Sequence, residues 1–471
     1  MDESAREFKV QDPSLSILTV RRALLAIALL LCSVETRPQD NVQIIGRALS
    51  GTDCYNIFVQ DTLAYVTAGD KGLRILDIAN PTSPVLKGQY SGNGMVKDVL
   101  VVGNLAYLAR QDNSYKNYIS VLDVTNPVIP RPISELYVHA SFTNIFCSGG
   151  FVYASASHYP MQIMDFRDYL NPKWTAEYGW GSSYGIFVSA DWAYLGFESG
   201  DVSILDVSDP TKPTFYGSFS CPGTGVHPRA AFAIVVRNGL AYVAAGTSGL
   251  HIADVSNPTW PVPVATLDTP GVASDLFLAG SLAYVADGSG GLQVLDVANS
   301  RSPRIVGTIA LDGDARGVYE QNGLVYVSAS TGVWVIRYTP APPDLIAYTS
   351  GTLPRSARRG SVVSTKFVVQ NVGDSDAGAT WCHIYLSTDQ NHDPTDFLWR
   401  AGILVPALSP EISFVFEDDL HVPDLPQGTY HILVECDVTN SIAEISENNI
   451  FSLGSFQIYG EANIRSWSRY R

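Results

Sequence analysis

The chain has 471 residues, enough for two or more domains, and 46% of them are hydrophobic. Its formal net charge of −16 at pH 7 disfavours nucleic acid and anionic membrane surfaces as partners, because both are bound through patches of Lys and Arg. Helical periodicity is nearly absent after residue 40, which indicates an all-β protein.

Residues 1–38 are predicted to be a signal peptide with an N-terminal extension. Arg21 and Arg22 precede the apolar run 23–31, which is short for a membrane span. A lipoprotein anchor is not expected, since Leu31 stands before Cys32 where a small residue would be needed. We therefore expect an exported, secreted or cell-surface protein with no membrane span in its mature part.

A repeat occupies residues 42–339. In each unit an apolar run contains a tyrosine, and in most units a second run about a dozen residues later ends in Asp. The tyrosines are spaced by 42, 46, 41, 48, 42 and 42 residues, which is typical of four-stranded propeller blades. The repeat therefore predicts a seven-bladed β-propeller. Its tyrosines are Tyr65, Tyr107, Tyr153, Tyr194, Tyr242, Tyr284 and Tyr326.

The recurring Asp and Tyr are interpreted as scaffold residues. A short carboxylate can accept backbone N–H bonds in a turn, and a tyrosine can pack between blades. In five of the six units with the Asp, Asn-Pro or Asp-Pro follows, the third example being Asn171-Pro172. The closing residues are Asp77, Asp123, Asp165, Asp206, Asp254 and Asp296.

The last unit, 332–337, lacks the Asp, the Asn-Pro turn and a fourth strand. A propeller must close, or it leaves sheet edges unpaired. Residues 42–50 precede the first full unit and match 85–90 in phase. We therefore predict that 42–50 pairs with the last blade near 332–338.

Residues 72–85 and 291–299 carry the motif of the repeat, Gly-Leu-x-x-Leu-Asp followed by Asn three residues later. With these residues the repeat resembles the LVIVD repeat family, over roughly 42–339. The resemblance implies a β-propeller found mostly in secreted or surface proteins, and it implies no settled chemistry. The third and seventh units depart from the motif.

Ligand sites in propellers lie on the axis, so the candidate site is the start of the innermost strand. Aromatic rings beside polar groups would suit a sugar or peptide, although polar strand starts near an open channel are also simply solvated. Nine residues before each tyrosine lie the inner positions, Asn56, Asp98, Asn144, Gly185, Ala233, Asp275 and Gly317. One residue earlier lie the mouth residues, Tyr55, Lys97, Thr143, Tyr184, Phe232, Ser274 and Arg316.

Five cysteines follow the signal segment, so they cannot all pair with one another. None has the spacing of a zinc site. Cys54 and Cys147 are expected to be packed as small hydrophobic residues. Cys382 and Cys436 share a domain, and whether they pair is left open.

The Pro-rich stretch 340–343 is predicted to link the propeller to a second domain at 344–460. About seven short strands, among them 362–370, 380–387, 412–418 and 429–437, predict an immunoglobulin-like β-sandwich.

The segments that identify this domain are Pro343-Asp344-Leu345, 369–373, 385–389, 405–408, 428–430 and 443–449. In these the domain resembles the CARDB family, which is related to cell-adhesion modules. The resemblance implies a spacer or adhesion module of a bacterial or archaeal exported protein. The basic tail 461–471 is interpreted as a solvated end.

The acidic loop of the second domain contains Asp389, Asp393 and Asp396. Closely spaced side-chain oxygens could hold Ca²⁺, but the spacing does not follow an EF-hand, and a solvated loop of turn-forming Asp and Pro394 is the favoured interpretation. No other cofactor is expected.

Two functions remain open. The first is a secreted or cell-surface binding and adhesion protein without catalytic activity, monomeric, whose propeller binds a carbohydrate or protein and whose second domain is a spacer or adhesion arm. It depends on the two resemblances and on the lack of recognisable catalytic motifs. The second is an extracellular polysaccharide lyase or glycosidase with its site at the propeller mouth, since propellers serve many functions. Asp98, Asp275 and Arg316 would be its first candidate residues.

Overall fold

The structure is a computed structural model that describes residues 41–179, 181–221, 232–350, 355–410, 412–444 and 449–460. The predicted signal peptide and tail lie outside the described residues. The chain divides into two compact units, Met1–Tyr338 and Thr339–Arg471. None of the described segments contains a helix long and apolar enough to cross a membrane.

The described part of the first unit consists of short strands joined mostly by tight turns. They are β1 (Val42–Ala48), β2 (Ile57–Gln60), β3 (Leu63–Thr67), β4 (Leu73–Asp77), β5 (Val85–Tyr90), β6 (Met95–Val102), β7 (Leu105–Gln111), β8 (Asn117–Asp123), β9 (Arg131–Val138), β10 (Ser141–Ser148), β11 (Phe151–Ser157), β12 (Met161–Asp165), β13 (Lys173–Tyr178), β14 (Ser183–Ser189), β15 (Trp192–Phe197), β16 (Asp201–Asp206), β17 (Thr214–Ser220), β18 (Ala233–Arg237), β19 (Leu240–Ala244), β20 (Leu250–Asp254), β21 (Val262–Leu267), β22 (Asp275–Ala279), β23 (Leu282–Ala286), β24 (Leu292–Asp296), β25 (Arg304–Ile309), β26 (Ala315–Gln321), β27 (Leu324–Ala329) and β28 (Gly332–Tyr338).

Within the described residues these strands form seven four-stranded antiparallel sheets. Sheets 1 to 6 are the consecutive groups β2–β5, β6–β9, β10–β13, β14–β17, β18–β21 and β22–β25. Sheet 7 has the order β26-β27-β28-β1. The first strands of successive sheets contact one another, and β26 of sheet 7 contacts β2 of sheet 1. The sheets therefore form a closed cycle, as in a propeller.

The predicted closure is confirmed by the pairing of β1 with β28. Val42 lies opposite Tyr338 and Ala48 lies opposite Val333, with a bulge between Ile44 and Gly46. The N-terminal strand thus supplies the outer strand that the last repeat lacks in sequence.

The repeated tyrosines are packed between neighbouring sheets, as predicted. All seven are between 2% and 7% exposed. Tyr65 of sheet 1 belongs to one core cluster with Val99 and Leu108 of sheet 2, and Tyr326 of sheet 7 packs with Val59 of sheet 1. The hydrophobic core of the first unit therefore lies between sheets.

The repeated aspartates are confirmed as turn residues. In all six units their Oδ1 accepts a hydrogen bond of 2.8–3.0 Å from the backbone N–H two residues later. The assignment of Asn171-Pro172 to the following turn is wrong. Asp168 occupies that position and accepts the N–H of Leu170 at 3.2 Å, so the carboxylate replaces the asparagine oxygen as acceptor.

The outer strands contact the Asn-Pro turns of the next sheet closely enough to require glycine. A Cβ at Gly88 of sheet 1 would lie 1.9 Å from the carbonyl oxygen of Pro127 in sheet 2. At Gly217 of sheet 4 it would lie 2.1 Å from that of Pro258 in sheet 5. This contact explains the glycines that recur in the outer strands.

The second unit is a β-sandwich in its described residues. Its strands are β29 (Leu345–Thr349), β30 (Ser356–Arg358), β31 (Val362–Asn371), β32 (Thr380–Ser387), β33 (Phe397–Val405), β34 (Ser413–His421), β35 (Gly428–Glu435) and β36 (Ile450–Tyr459). The sheets β29-β31-β34 and β30-β36-β35-β32-β33 enclose one core around Phe367 and Phe456. The described residues thus contain eight strands where about seven were expected, and the shortest, β30, has three residues and pairs parallel to β36.

Candidate functional site

Four of the seven mouth residues lie at irregularities in the first strands of their sheets. In sheets 2, 3 and 7, the register with the second strand skips one residue, which is Lys97, Thr143 and Arg316 respectively. In sheet 4 it skips Tyr184 and Gly185. A bulge leaves its extra residue outside the regular ladder and re-aims the side chain. In these four sheets the mouth residue is therefore released from regular pairing.

In the other three sheets the mouth residue directly precedes the regular strand pairing. The backbone N–H of Tyr55, Phe232 and Ser274 still donates to the second strand at 2.8–2.9 Å. Because the first strands form a closed cycle, the seven mouth residues surround one end of the propeller axis.

Asp98 connects three neighbouring sheets through its carboxylate. Its Oδ2 accepts the N–H of Ile145 in sheet 3 at 2.7 Å, and its Oδ1 accepts the N–H of Val99 at 2.8 Å. The side-chain amide of Asn56 in sheet 1 also donates to Oδ1. The side chain is 3% exposed, so a large share of its hydrogen-bonding capacity is used within the scaffold.

Asp275 makes the same connection between sheets 6 and 7. Its Oδ2 accepts the N–H of Val318 and its Oδ1 accepts the N–H of Leu276, both at 2.9 Å. Val318 and Ile145 occupy equivalent places in their sheets, each one residue after an inner position. Two acidic inner positions thus bind the backbone of the next first strand.

Burial governs the ionisation of both carboxyls. Desolvation raises the pKa of Asp98 to about 6, against the opposing effect of its three hydrogen bonds. Desolvation raises the pKa of Asp275 to about 7, and the charge of Asp98 adds to this shift. Asp275 keeps some accessible surface, yet the protein around its carboxyl desolvates it. The charge of Asp98 therefore reaches the Asp275 carboxyl, and both acids have pKa values above that of an ordinary aspartate.

Hydroxyl groups add further connections between sheets. Thr67, Ser155 and Ser328 are fully buried and lie two residues after the tyrosine of their repeats. Their hydroxyls donate to the carbonyl of the mouth residue in the next sheet, namely Lys97 at 3.1 Å, Tyr184 at 2.5 Å and Tyr55 at 3.3 Å. The mouth residues Lys97, Tyr184 and Tyr55 are thus anchored to the preceding sheet by their backbone carbonyls.

Arg316 and Tyr55 form the charged part of the mouth, where sheets 7 and 1 meet. The Arg316 guanidinium lies 4.7 Å from the centre of the Tyr55 ring and 2.7 Å from the Asp53 carboxylate. Burial, followed by the hydrogen bond with Asp53, raises the pKa of Tyr55. Sequence reasoning missed Asp53, because it lies outside the strand positions used to align the repeats.

Tyr184 and Phe232 form the aromatic part, where sheets 4 and 5 meet. Their rings are in edge-to-face contact with centroids 5.4 Å apart, and both side chains are partly exposed. Lys97 is also partly exposed, donates to Ser141 Oγ at 3.3 Å, and has a pKa lowered by desolvation. The mouth therefore offers aromatic faces together with two cations.

The remaining predicted residues take different places. Asn144 lies in β10, where its carbonyl accepts from Ser155 Oγ at 3.3 Å. Thr143 donates to the carbonyl of Ser183 at 2.9 Å, and Ser274 donates to that of Ala286 at 2.9 Å. These two hydroxyls act within the scaffold.

In the acidic loop the three carboxylates bind their own backbone. Asp389 accepts the N–H of Asn391 at 2.7 Å, Asp393 that of Thr395 at 2.6 Å, and Asp396 that of Asp393 at 2.9 Å. Within the described residues, no group of three His, Cys, Asp or Glu side chains is arranged to hold a metal ion. Calcium binding by this loop stays an untested alternative to its interpretation as a turn-forming loop.

Comparison with family models identifies both units. The LVIVD repeat model matches residues 51–92, 93–133, 180–221, 228–269 and 270–310. The CARDB model matches residues 342–451. The chain thus carries LVIVD repeats followed by a CARDB domain, the architecture expected from its motifs. The third unit falls between the matched segments, in agreement with its departure from the repeat motif.

A solved β-propeller shows the likeness in fold. The WD40 β-propeller domain of Doa1 shares 12% identity, covers 63% of this chain and 96% of its own length, and has a TM-score of 0.51. The computationally designed Ika8 protein shares 9% identity over 63% of this chain and 100% of its own, with a TM-score of 0.47. No curated protein matches the chain.

Proposed function

We propose that this chain, with its LVIVD repeats and CARDB domain, is a secreted or cell-surface binding protein without catalytic activity. The propeller mouth binds a carbohydrate or protein ligand, and the CARDB domain is a spacer or adhesion arm. CARDB domains are associated with extracellular and cell-surface proteins, which supports this location.

The observation that carries the proposal is that different residues near the mouth have different roles: some hold the sheets together and others expose their side chains. Asp98 and Asp275 direct their oxygens at backbone N–H groups of neighbouring sheets. Arg316 and Tyr184 are partly exposed at breaks in the strand register, and Tyr55 is partly exposed just before β2. Aromatic faces beside a cation can stack on a sugar ring or a peptide side chain and bind its polar groups.

The experiment is a binding screen of the full chain on a glycan array and on immobilised cell-surface extracts. Arg316→Ala should weaken binding of any hit at least about tenfold, because it removes a cation from the mouth. The loss of folding stability should be small, because the ion pair with Asp53 that the variant loses is half exposed. Its matched control is Arg167→Ala, which removes an exposed ion pair with Asp165 at a turn of the third repeat and should bind normally. Equal binding by Arg316→Ala and the control would reject the mouth as the site.

One observation favours a second candidate, a glycoside-cleaving enzyme. Two carboxyls with raised pKa values, one of them raised partly by the charge of the other, resemble the acid and base of such enzymes. The test is release of new reducing ends from glycans that bind. Release by the wild type that disappears in Asp275→Asn would favour the enzyme over the binding protein.

A further inference from the structure

The two cysteines of the second unit meet in its core. Cys382 lies in β32 and Cys436 directly follows β35, and both are 0% exposed. The two strands are antiparallel neighbours in which His383 lies opposite Glu435. The same register places Cys382 opposite Cys436, and the Cys382 thiol donates to the sulfur of Cys436 at 3.1 Å.

This geometry suits a covalent bond between the sulfurs. Residues directly opposite on antiparallel strands have Cβ atoms about 4.5–5.5 Å apart, close to the separation that a disulfide needs. The other described cysteines, Cys54, Cys147 and Cys221, pack in three different core clusters of the first unit. The proximity is therefore specific to one pair.

We propose that Cys382 and Cys436 form a disulfide when the chain folds in an oxidising compartment. The oxidant is a small-molecule or protein disulfide. One cysteine thiolate attacks it, forms a mixed disulfide and releases one thiol; the second cysteine then attacks the mixed disulfide and releases the other. Two electrons and two protons pass to the oxidant, which leaves as two thiols.

The surroundings of the pair fix when the bond forms. The hydrogen bond from Cys382, followed by burial, raises the pKa of the Cys436 thiol, and the charges of Glu444 and Asp437 add to the shift. Since the thiolate is the reacting species, exchange occurs before the core closes over the pair. The finished bond is then shielded from reductants and joins residues 54 positions apart.

The first test maps the cysteines of the full chain after refolding in a buffer of oxidised and reduced glutathione. The protein is unfolded in guanidinium chloride with iodoacetamide, digested without reductant and analysed by mass spectrometry. The peptides of Cys382 and Cys436 should be joined and unmodified, while Cys54, Cys147 and Cys221 are alkylated. Alkylation of Cys382 and Cys436 to the same extent as the other three would overturn the proposal.

The second test compares melting of protein refolded with and without oxidised glutathione. The transition of the CARDB domain should lie about 10 °C or more higher in the oxidised protein, because the bond restricts the unfolded chain. Cys221→Ala, which removes a buried thiol of the propeller, should keep this difference. Cys382→Ala should abolish it, and a difference that persists in Cys382→Ala would refute the bond.

Discussion

The Asp275→Asn substitution should destabilise the propeller near pH 4 and stabilise it at pH 7.5. The carboxyl is desolvated between sheets 6 and 7, so its pKa rises from an ordinary value of 3.8 to about 7 in the folded protein. Between these two pKa values, Asp275 is protonated in the folded protein and ionised in the unfolded chain. The contribution to stability is therefore full below pH ~4 and is lost as the pH rises towards ~7.

The magnitude follows from the size of the pKa shift. About three pKa units at ~1.36 kcal/mol each give a loss of about 4 kcal/mol between pH ~4 and ~7. Asn cannot ionise, so this loss disappears in the variant. Its amide retains one acceptor for Leu276 but faces the N–H of Val318 with a donor in place of an acceptor, which costs about 1–3 kcal/mol. Asp275→Asn should be less stable than wild type near pH 4 and about 1–3 kcal/mol more stable at pH 7.5.

The assay is urea denaturation of the full chain at half-unit pH steps from 4 to 8, followed by tryptophan fluorescence. Asp206→Asn is the control, because hydrogen bonds from Ser208 lower the pKa of this turn carboxyl and confine its titration to acid pH. In this control, the free energy of unfolding should fall with pH between 4.5 and 7 as steeply as in the wild type. If Asp275→Asn also shows the wild-type dependence of unfolding free energy on pH, Asp275 is not the buried titrating group.

Gly88→Ala should destabilise the propeller by about 1–3 kcal/mol in urea, because its Cβ would meet the Pro127 carbonyl at 1.9 Å. Gly378→Ala, where the Cβ meets nothing within 4 Å, should be close to neutral, and equal effects would reject the packing argument. Deleting residues 41–50 should abolish cooperative melting of the propeller because β28 loses its partner β1; a deletion variant that melts like the full chain would refute closure. Calcium and chelator should give the same melting temperature for the CARDB domain, since the acidic loop binds its own backbone, and a clear rise with calcium would instead support a metal site.

The periodic features of the fold could be predicted from sequence. The phase of the tyrosines predicted the inter-sheet packing, and the missing fourth strand of the last repeat predicted the pairing of β1 with β28. The closing aspartates behaved as turn residues because an Asp side chain needs only the backbone two residues ahead. These features depend on local chemistry that recurs at a fixed spacing.

The polar contacts between repeats were not visible in the sequence. The roles of Asp98 and Asp275 depend on which backbone N–H of the next sheet lies within reach, and no spacing within one repeat gives that distance. Asp168 was not recognised as the turn residue because no proline follows it, although its carboxylate accepts the backbone N–H that the Asn side chain accepts in other repeats. The bulges at Lys97 and Arg316 depend on register between strands, which the twofold alternation of strand residues does not determine.

The most direct test compares Arg316→Ala with Asp275→Asn for binding to a ligand that the glycan or cell-surface screen identifies. Both variants must first show a cooperative melting transition. We predict that Arg316→Ala weakens binding at least about tenfold while Asp275→Asn binds as wild type. Arg316 is the residue that we propose contacts the ligand, whereas Asp275 holds two sheets together. Loss of binding in Asp275→Asn, with Arg316→Ala unaffected, would contradict it.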